Sequence, residues 1–216
     1  MDCQLDSKPR WERRKEARPQ ELLAAAIELF VERGFAATRL EDVARRAGVS
    51  KGTLYLYYTN KEDLFKAVVR QSIVPTLGDA ETSVAEFDGH SAELLRHVIL
   101  SWWRRIGATK ASGISKLILA EADNFPELAL FYQKEVMTRG MVMMSSMLER
   151  GIRRGEFRQI DVAQTAQVLI APLLMLSTWK HTIAPCERCE LQPEAFLAAF
   201  LDITVHGLMP AGAASK

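Results

Sequence analysis

Apolar side chains recur at every third or fourth position along most of the chain, and no stretch shows the strict alternation of a half-buried strand. Leu22, Leu23, Ala26, Ile27, Leu29 and Phe30 form one such stripe, opened by Pro19 at a first-turn position and closed by Gly34. Leu64, Phe65, Val68 and Val69 form another. Asn60 is its expected N-cap, Asp63 sits in its first turn, and Pro75 ends or kinks it. From Ser91 onward the period predicts helices over about 91–108, 112–122, 126–153, 161–181 and 193–208. Gly, Pro, Asn and Asp fill the breaks between them, and the small, acidic stretch from Gly78 to Gly89 reads as a loop. The expected class is all-α.

Between the first two stripes lies Thr38–Tyr58, two short helical patterns around one tight break. Thr38 is placed to cap the first, with Glu41 reaching back to complete a capping box. Val43, Ala44 and Ala47 give it a small apolar face. Gly48 stands where the chain needs a left-handed turn, Val49 follows as a buried plug, and Ser50 caps the second helix. That second helix carries Lys51, Thr53, Tyr55 and Tyr57, hydrogen-bond donors of the kind that read a DNA major groove. Alanine-glycine turns also join helices that never touch DNA, so the flanking residues matter.

Charge adds to this reading. The net is only +1 over 216 residues, but residues 1–74 hold 14 Lys+Arg against 11 Asp+Glu, so the basic excess lies with the helix-turn-helix. Lys8, Arg10, Arg13, Arg14, Lys15 and Arg18 crowd the start, suggesting a flexible basic arm over 1–17 that attracts phosphate, or a plain solvated tail. We expect a DNA-binding domain over 18–74 and a second domain over 75–216. Met1–Arg18 lacks the apolar stretch of a secretory signal, and the longest apolar run, Val168–Leu176, is nine residues and holds Pro172. A cytoplasmic protein without a membrane segment is expected.

Residues 18–70 resemble the N-terminal DNA-binding domain of the TetR family of bacterial transcriptional regulators. The resemblance is carried by Ile27-x-x-Phe30, Gly34-Phe35, Val43-Ala44-x-x-Ala47-Gly48-Val49-Ser50, Gly52-Thr53-Leu54-Tyr55, Tyr58 and Lys61-Glu62-Asp63-Leu64. Glu121–Leu128 looks like a segment of AefR- and AcrR-like members. The resemblance implies a homodimer on palindromic double-stranded operator DNA, with a C-terminal domain that binds a small-molecule effector and dimerises. Mapped onto this chain, it puts Ser50, Lys51, Gly52 and Thr53 at the groove, Tyr55 and Tyr57 on phosphates, and the Lys61 ammonium facing another phosphate. Arg39 replaces the family's usual Thr or Ser, which points to a charged phosphate contact. Glu41 stands where some members contact a base. The last two helices, with Leu169, Leu173, Leu176, Phe196, Leu197 and Phe200, would form the dimer interface.

The second domain offers less. Trp102, Trp103, Met141, Met144, Met175 and Trp179 suit an apolar pocket, although such residues build ordinary core equally well. Glu121 is a possible anchor for a cationic ligand. Cys186-x-x-Cys189 leaves a redox- or metal-sensing regulator open as an alternative, with a solvated loop as the plainer reading. His90, His97, His181 and His206 lack metal-site spacing and no phosphate-cradling glycine loop occurs, so neither a catalytic residue, a metal nor a cofactor is expected, and an enzyme is the least favoured reading.

Overall fold

The computed structural model describes residues 10–183 and 192–210, with side chains from Pro19 onward. Every regular element among the described residues is helical. The chain divides into two compact units between Val68 and Val69, inside a helix, whereas the expected boundary lay after residue 74.

In the first unit, α1 spans Arg10–Arg33, α2 Leu40–Arg46 and α3 Lys51–Tyr55, and α4 (Lys61–Ser72) begins there. Helix α1 starts well before Pro19, so residues 10–17 do not form the expected arm. Arg, Lys, Glu and Ala, all strong helix formers, fill those positions apart from Trp11, and the helix continues through the proline. Its apolar stripe packs on α2, and Phe30, Phe35 and Phe65 meet with ring centroids 5.5–5.8 Å apart. Leu22, Leu29, Leu54 and Leu64 complete this core, all fully buried. Arg46 ties α2 to α1 through Glu28 at 3.0 Å and Glu32 at 3.2 Å. Gly34 ends α1 at φ +84°, a left-handed conformation that a side chain would strain.

The second unit contains α5 (Val74–Glu86), α6 (Ser91–Trp102), α7 (Gly113–Glu121), α8 (Pro126–Tyr132), α9 (Thr138–Arg153), α10 (Val162–Thr182) and α11 (Pro193–Leu208). Wide π-type turns extend α6 through Trp103–Gly107 and join α8 to α9 through Gln133–Met137. Helix α5 occupies most of the stretch expected to be a loop. Pro75 opens it rather than closing its predecessor, since a proline costs no hydrogen bond in a first turn. Leu77 is buried, Arg139 grips Glu81 through two hydrogen bonds, and Arg105 pairs with Asp79, so tertiary contacts override the weak propensity of Gly78 and its neighbours.

The core of this unit lies among α6, α9, α10 and α11. Leu169, Leu173, Leu176 and Leu197 all belong to it, with Phe196 and Phe200 packed against it half-buried. The expected assignment of these four leucines to a dimer interface is therefore wrong. Helix α10 is apolar on nearly every side, so periodicity gave no means of telling its inward face from its outward one. By length and composition it could cross a bilayer, but it packs on α7 and α9.

Candidate nucleic-acid interface and effector cavity

The recognition motif is built by local hydrogen bonds. Gly48 adopts φ +67°, and the Val49 N–H returns to the Ala44 carbonyl at 3.0 Å, which closes α2 and turns the chain. Val49 itself is only half-buried. Ser50 has an extended backbone, and its Oγ accepts the Thr53 N–H at 3.1 Å, the expected cap of α3. Leu54 anchors α3 inward, while Lys51, Gly52 and Tyr55 face outward and Thr53 and Tyr57 are half-exposed. Asn60 and Asp63 cap the start of α4, with Asn60 Oδ1 accepting the Asp63 N–H at 2.7 Å.

Three local expectations change. The capping box at α2 does not form: Arg39 occupies the N-cap, with an extended backbone and no side-chain cap. Thr38 is buried instead and donates its hydroxyl toward the Gly34 carbonyl at 2.7 Å and the Leu29 carbonyl at 3.2 Å. The Gly34 carbonyl lies just past the end of α1, where helical partners run out, and the Leu29 carbonyl one turn earlier shares the buried hydroxyl. Glu41 pairs with Lys51 at 2.6 Å, a contact that lowers the carboxyl pKa and raises that of the ammonium. Lys61 sits 4.4 Å from the Phe35 ring centroid and donates to the carbonyls of Phe35 at 2.6 Å and Ala36 at 3.1 Å. Its ammonium holds the turn after α1 in the DNA-free chain. Arg39 is exposed.

A cavity of about 170 Å³ opens among α5, α6, α7, α8, α9 and α10 of the second unit. Trp102, Met141 and Met144 line it, together with Ile73, Val98 and Leu173. Its polar groups are few, and the clearest are Ser115 Oγ and Tyr132 Oη, which lie 3.0 Å apart.

Trp103, Glu121, Met175 and Trp179 do not line this cavity. Trp103 is buried against Gly107, Met175 faces outward from α10, and Glu121 accepts a hydrogen bond from Asn124 at 3.2 Å at the exposed end of α7. Sequence reasoning missed Ser115 and Tyr132, because a lone serine and a lone tyrosine on separate helices give no local signal. A second concavity, about 520 Å³, lies between α5 and α9. Its three arginines are already engaged: Arg139 with Glu81, Arg150 with Ser91 Oγ and the carbonyls of Phe87 and Gly89, and Arg153 with Glu149 at 3.6 Å.

Cys186 and Cys189 lie outside the described residues. Among the described residues no group of three or more His, Cys, Asp and Glu side chains is arranged to hold a metal ion. His181, nearest to those cysteines in sequence, shares a 2.8 Å hydrogen bond with Ser112 Oγ.

Residues 22–68 match the family model described as bacterial regulatory proteins, tetR family, and residues 93–194 match that of the AefR-like transcriptional repressor C-terminal domain. The chain belongs to the TetR family. It is a DNA-binding transcriptional regulator with an N-terminal helix-turn-helix domain and a larger helical C-terminal domain. Among TetR-family relatives, the fatty acid metabolism regulator protein of Bacillus subtilis is 25% identical over 171 residues, covering 76% of this chain and 86% of that protein. The HTH-type transcriptional repressor KstR2 of Rhodococcus jostii is 29% identical over 153 residues, covering 68% and 72%. The solved structure of the regulator FadR from Bacillus subtilis in complex with stearoyl-CoA superposes with a TM-score of 0.67 at 22% identity. That match covers 88% of this chain and 98% of the other, a likeness of TetR-family fold.

Proposed function

We propose that this chain is a cytoplasmic repressor that binds a palindromic operator as a homodimer and releases it when a small molecule enters the C-terminal cavity. The observation that carries the DNA half is the motif from Arg39 to Tyr57. Gly48 and Ser50 fix α3 through local bonds, and Lys51, Thr53 and Tyr55 project from its outer side. In this reading α3 enters the major groove, and Arg39, Tyr55 and Tyr57 contact phosphates. Lys51 leaves Glu41 on DNA.

Exposed Val168 and Met175 on α10, with Ile203 among the small side chains Ala195, Ala198 and Ala199 on α11, suit a dimer interface. Left in water, such a face would favour association. The effector half rests on the cavity, whose apolar wall an occupant would cover and thereby stabilise the fold. Ile73 and Leu77, just beyond α4 in the chain, line that cavity. An occupant can thereby favour a conformer whose paired recognition helices no longer match successive grooves about 34–36 Å apart.

An electrophoretic mobility shift with fragments from around the protein's own gene tests the DNA reading. A sequence-specific shift at low salt, lost in the Lys51→Ala/Tyr55→Ala double variant, is expected. Absence of any shift without added ligand refutes it. Analytical ultracentrifugation of Ile203→Asp against wild type tests the interface, with dissociation toward monomer expected.

A further inference from the structure

The lining of the C-terminal cavity narrows what can occupy it. No described lining residue carries a charge, and almost the whole wall is aliphatic, thioether or indole surface. Its clearest polar feature is the hydroxyl pair of Ser115 on α7 and Tyr132 on α8. Two hydroxyls own two protons, and their mutual hydrogen bond uses one. The other proton has no acceptor among the described residues, so the pair presents one donor to the cavity. Tyr132 is only 6% exposed, and burial raises its phenol pKa, so the group stays protonated and neutral at physiological pH.

We propose that the effector seats in this cavity an uncharged, largely apolar segment bearing one hydrogen-bond acceptor, a carbonyl or equivalent oxygen, bound by the Ser115–Tyr132 hydroxyl pair. The inference rests on the cavity being the effector site. It assigns that site its ligand chemistry and gives two residues the anchoring role.

Charged groups fit badly here. A carboxylate or ammonium drawn into this wall would lose its hydration and meet no counter-charge, a penalty larger than one neutral hydrogen bond returns. A hydrocarbon with no acceptor would leave the buried donor unsatisfied once water is displaced. A ketone, an ester or the thioester carbonyl of an acyl carrier satisfies the donor and fills the apolar volume. The exposed Leu119 and Met137, which line this cavity, allow a larger polar portion of such a molecule to stay in solvent.

The test uses the full-length protein and four probes of one chain length: methyl hexyl ketone, octanoyl-coenzyme A, octanoate and octylammonium. Calorimetric titration at about pH 8 keeps the last two charged at their reacting ends. The ketone, the thioester or both are expected to bind at least about 10-fold more tightly than octanoate and octylammonium. Tyr132→Phe and Ser115→Ala should each weaken that binding by about 3- to 10-fold, the loss of one neutral hydrogen bond. If one variant fails to fold, the other carries the comparison. Ketone binding points to a free neutral effector and preferential thioester binding to a carrier-linked one, and both support the proposal.

Octanoate or octylammonium binding as tightly as the ketone, and lost in the cavity-filling variant Gly140→Leu, would overturn the proposed chemistry while leaving the cavity as the effector site. Ketone binding insensitive to both hydroxyl variants would do the same. Binding by none of the four probes would overturn the proposal and the cavity reading together.

Discussion

Gly140 offers the sharpest test of how the second unit balances stability against an open cavity. It lies in α9 and lines the cavity, and a Cβ added there would meet nothing within 4 Å. Its φ is not in the left-handed region, so alanine suits the backbone. A glycine inside a helix costs about 0.8–1.0 kcal/mol relative to alanine, chiefly through backbone entropy. With no steric term to oppose it, Gly140→Ala should stabilise this unit by about 1 kcal/mol and raise its Tm by about 2–4 °C. Gly140→Leu keeps nearly the same helix propensity and adds three carbons on the cavity side. It should gain apolar burial against the cavity wall as well, for about 1–3 kcal/mol in all. Urea denaturation followed by far-ultraviolet circular dichroism measures both variants. DNA affinity without effector should stay within about twofold of wild type, while effector affinity in Gly140→Leu falls by more than about tenfold. A Gly140→Ala variant that loses more than about 0.5 kcal/mol would show that the Cβ position is occupied, and would refute the reasoning.

Arg39→Ala should weaken binding about equally for all DNA sequences and flatten the salt dependence by about one unit of slope, as removal of one phosphate contact requires. Sequence-selective loss would mean that Arg39 reads a base. Glu41→Gln, which releases Lys51, should tighten binding by about 3- to 10-fold irrespective of sequence, and a base-specific loss in a mobility-shift assay would contradict this. Gly151→Ala forces a Cβ into the buried Phe157 ring and should destabilise the second unit by about 1–3 kcal/mol in thermal melts. His181 has a lowered pKa, from burial and then from the nearby Lys180 and Lys116, so the unfolded chain binds its proton more readily than the folded one. Wild-type stability should therefore fall relative to His181→Gln as pH drops below about 6.5, and a constant difference across that range would contradict the assignment.

The recognition motif was legible in the chain because each of its parts is local. Gly48 turns the backbone by its own freedom, and Ser50 caps a helix three residues away. Asn60 and Asp63 do the same one element later. Where a residue had a stronger partner further away, local reasoning failed. Thr38 had a plausible cap at hand, but its buried hydroxyl went back to the carbonyls of Gly34 and Leu29 around the end of α1. Glu41 went to Lys51 and Lys61 to the turn at Phe35, both across loops that no spacing rule spans. Gly78 lies within a helix because Leu77 and Glu81 are held from outside it.

The sequence by itself determined the helical class and the helix-turn-helix, but not α5, which it read as a loop. Hydrophobic period, caps and turn residues act within a few positions, so they are readable wherever no stronger distant partner competes. Only the tertiary structure decided which face of α10 is core and that Trp102 lines the cavity while adjacent Trp103 does not. It alone brought Ser115 and Tyr132 together as a polar anchor in an apolar wall. Those outcomes depend on contacts between helices that are apolar on several sides, and the packing of the whole unit selects among them.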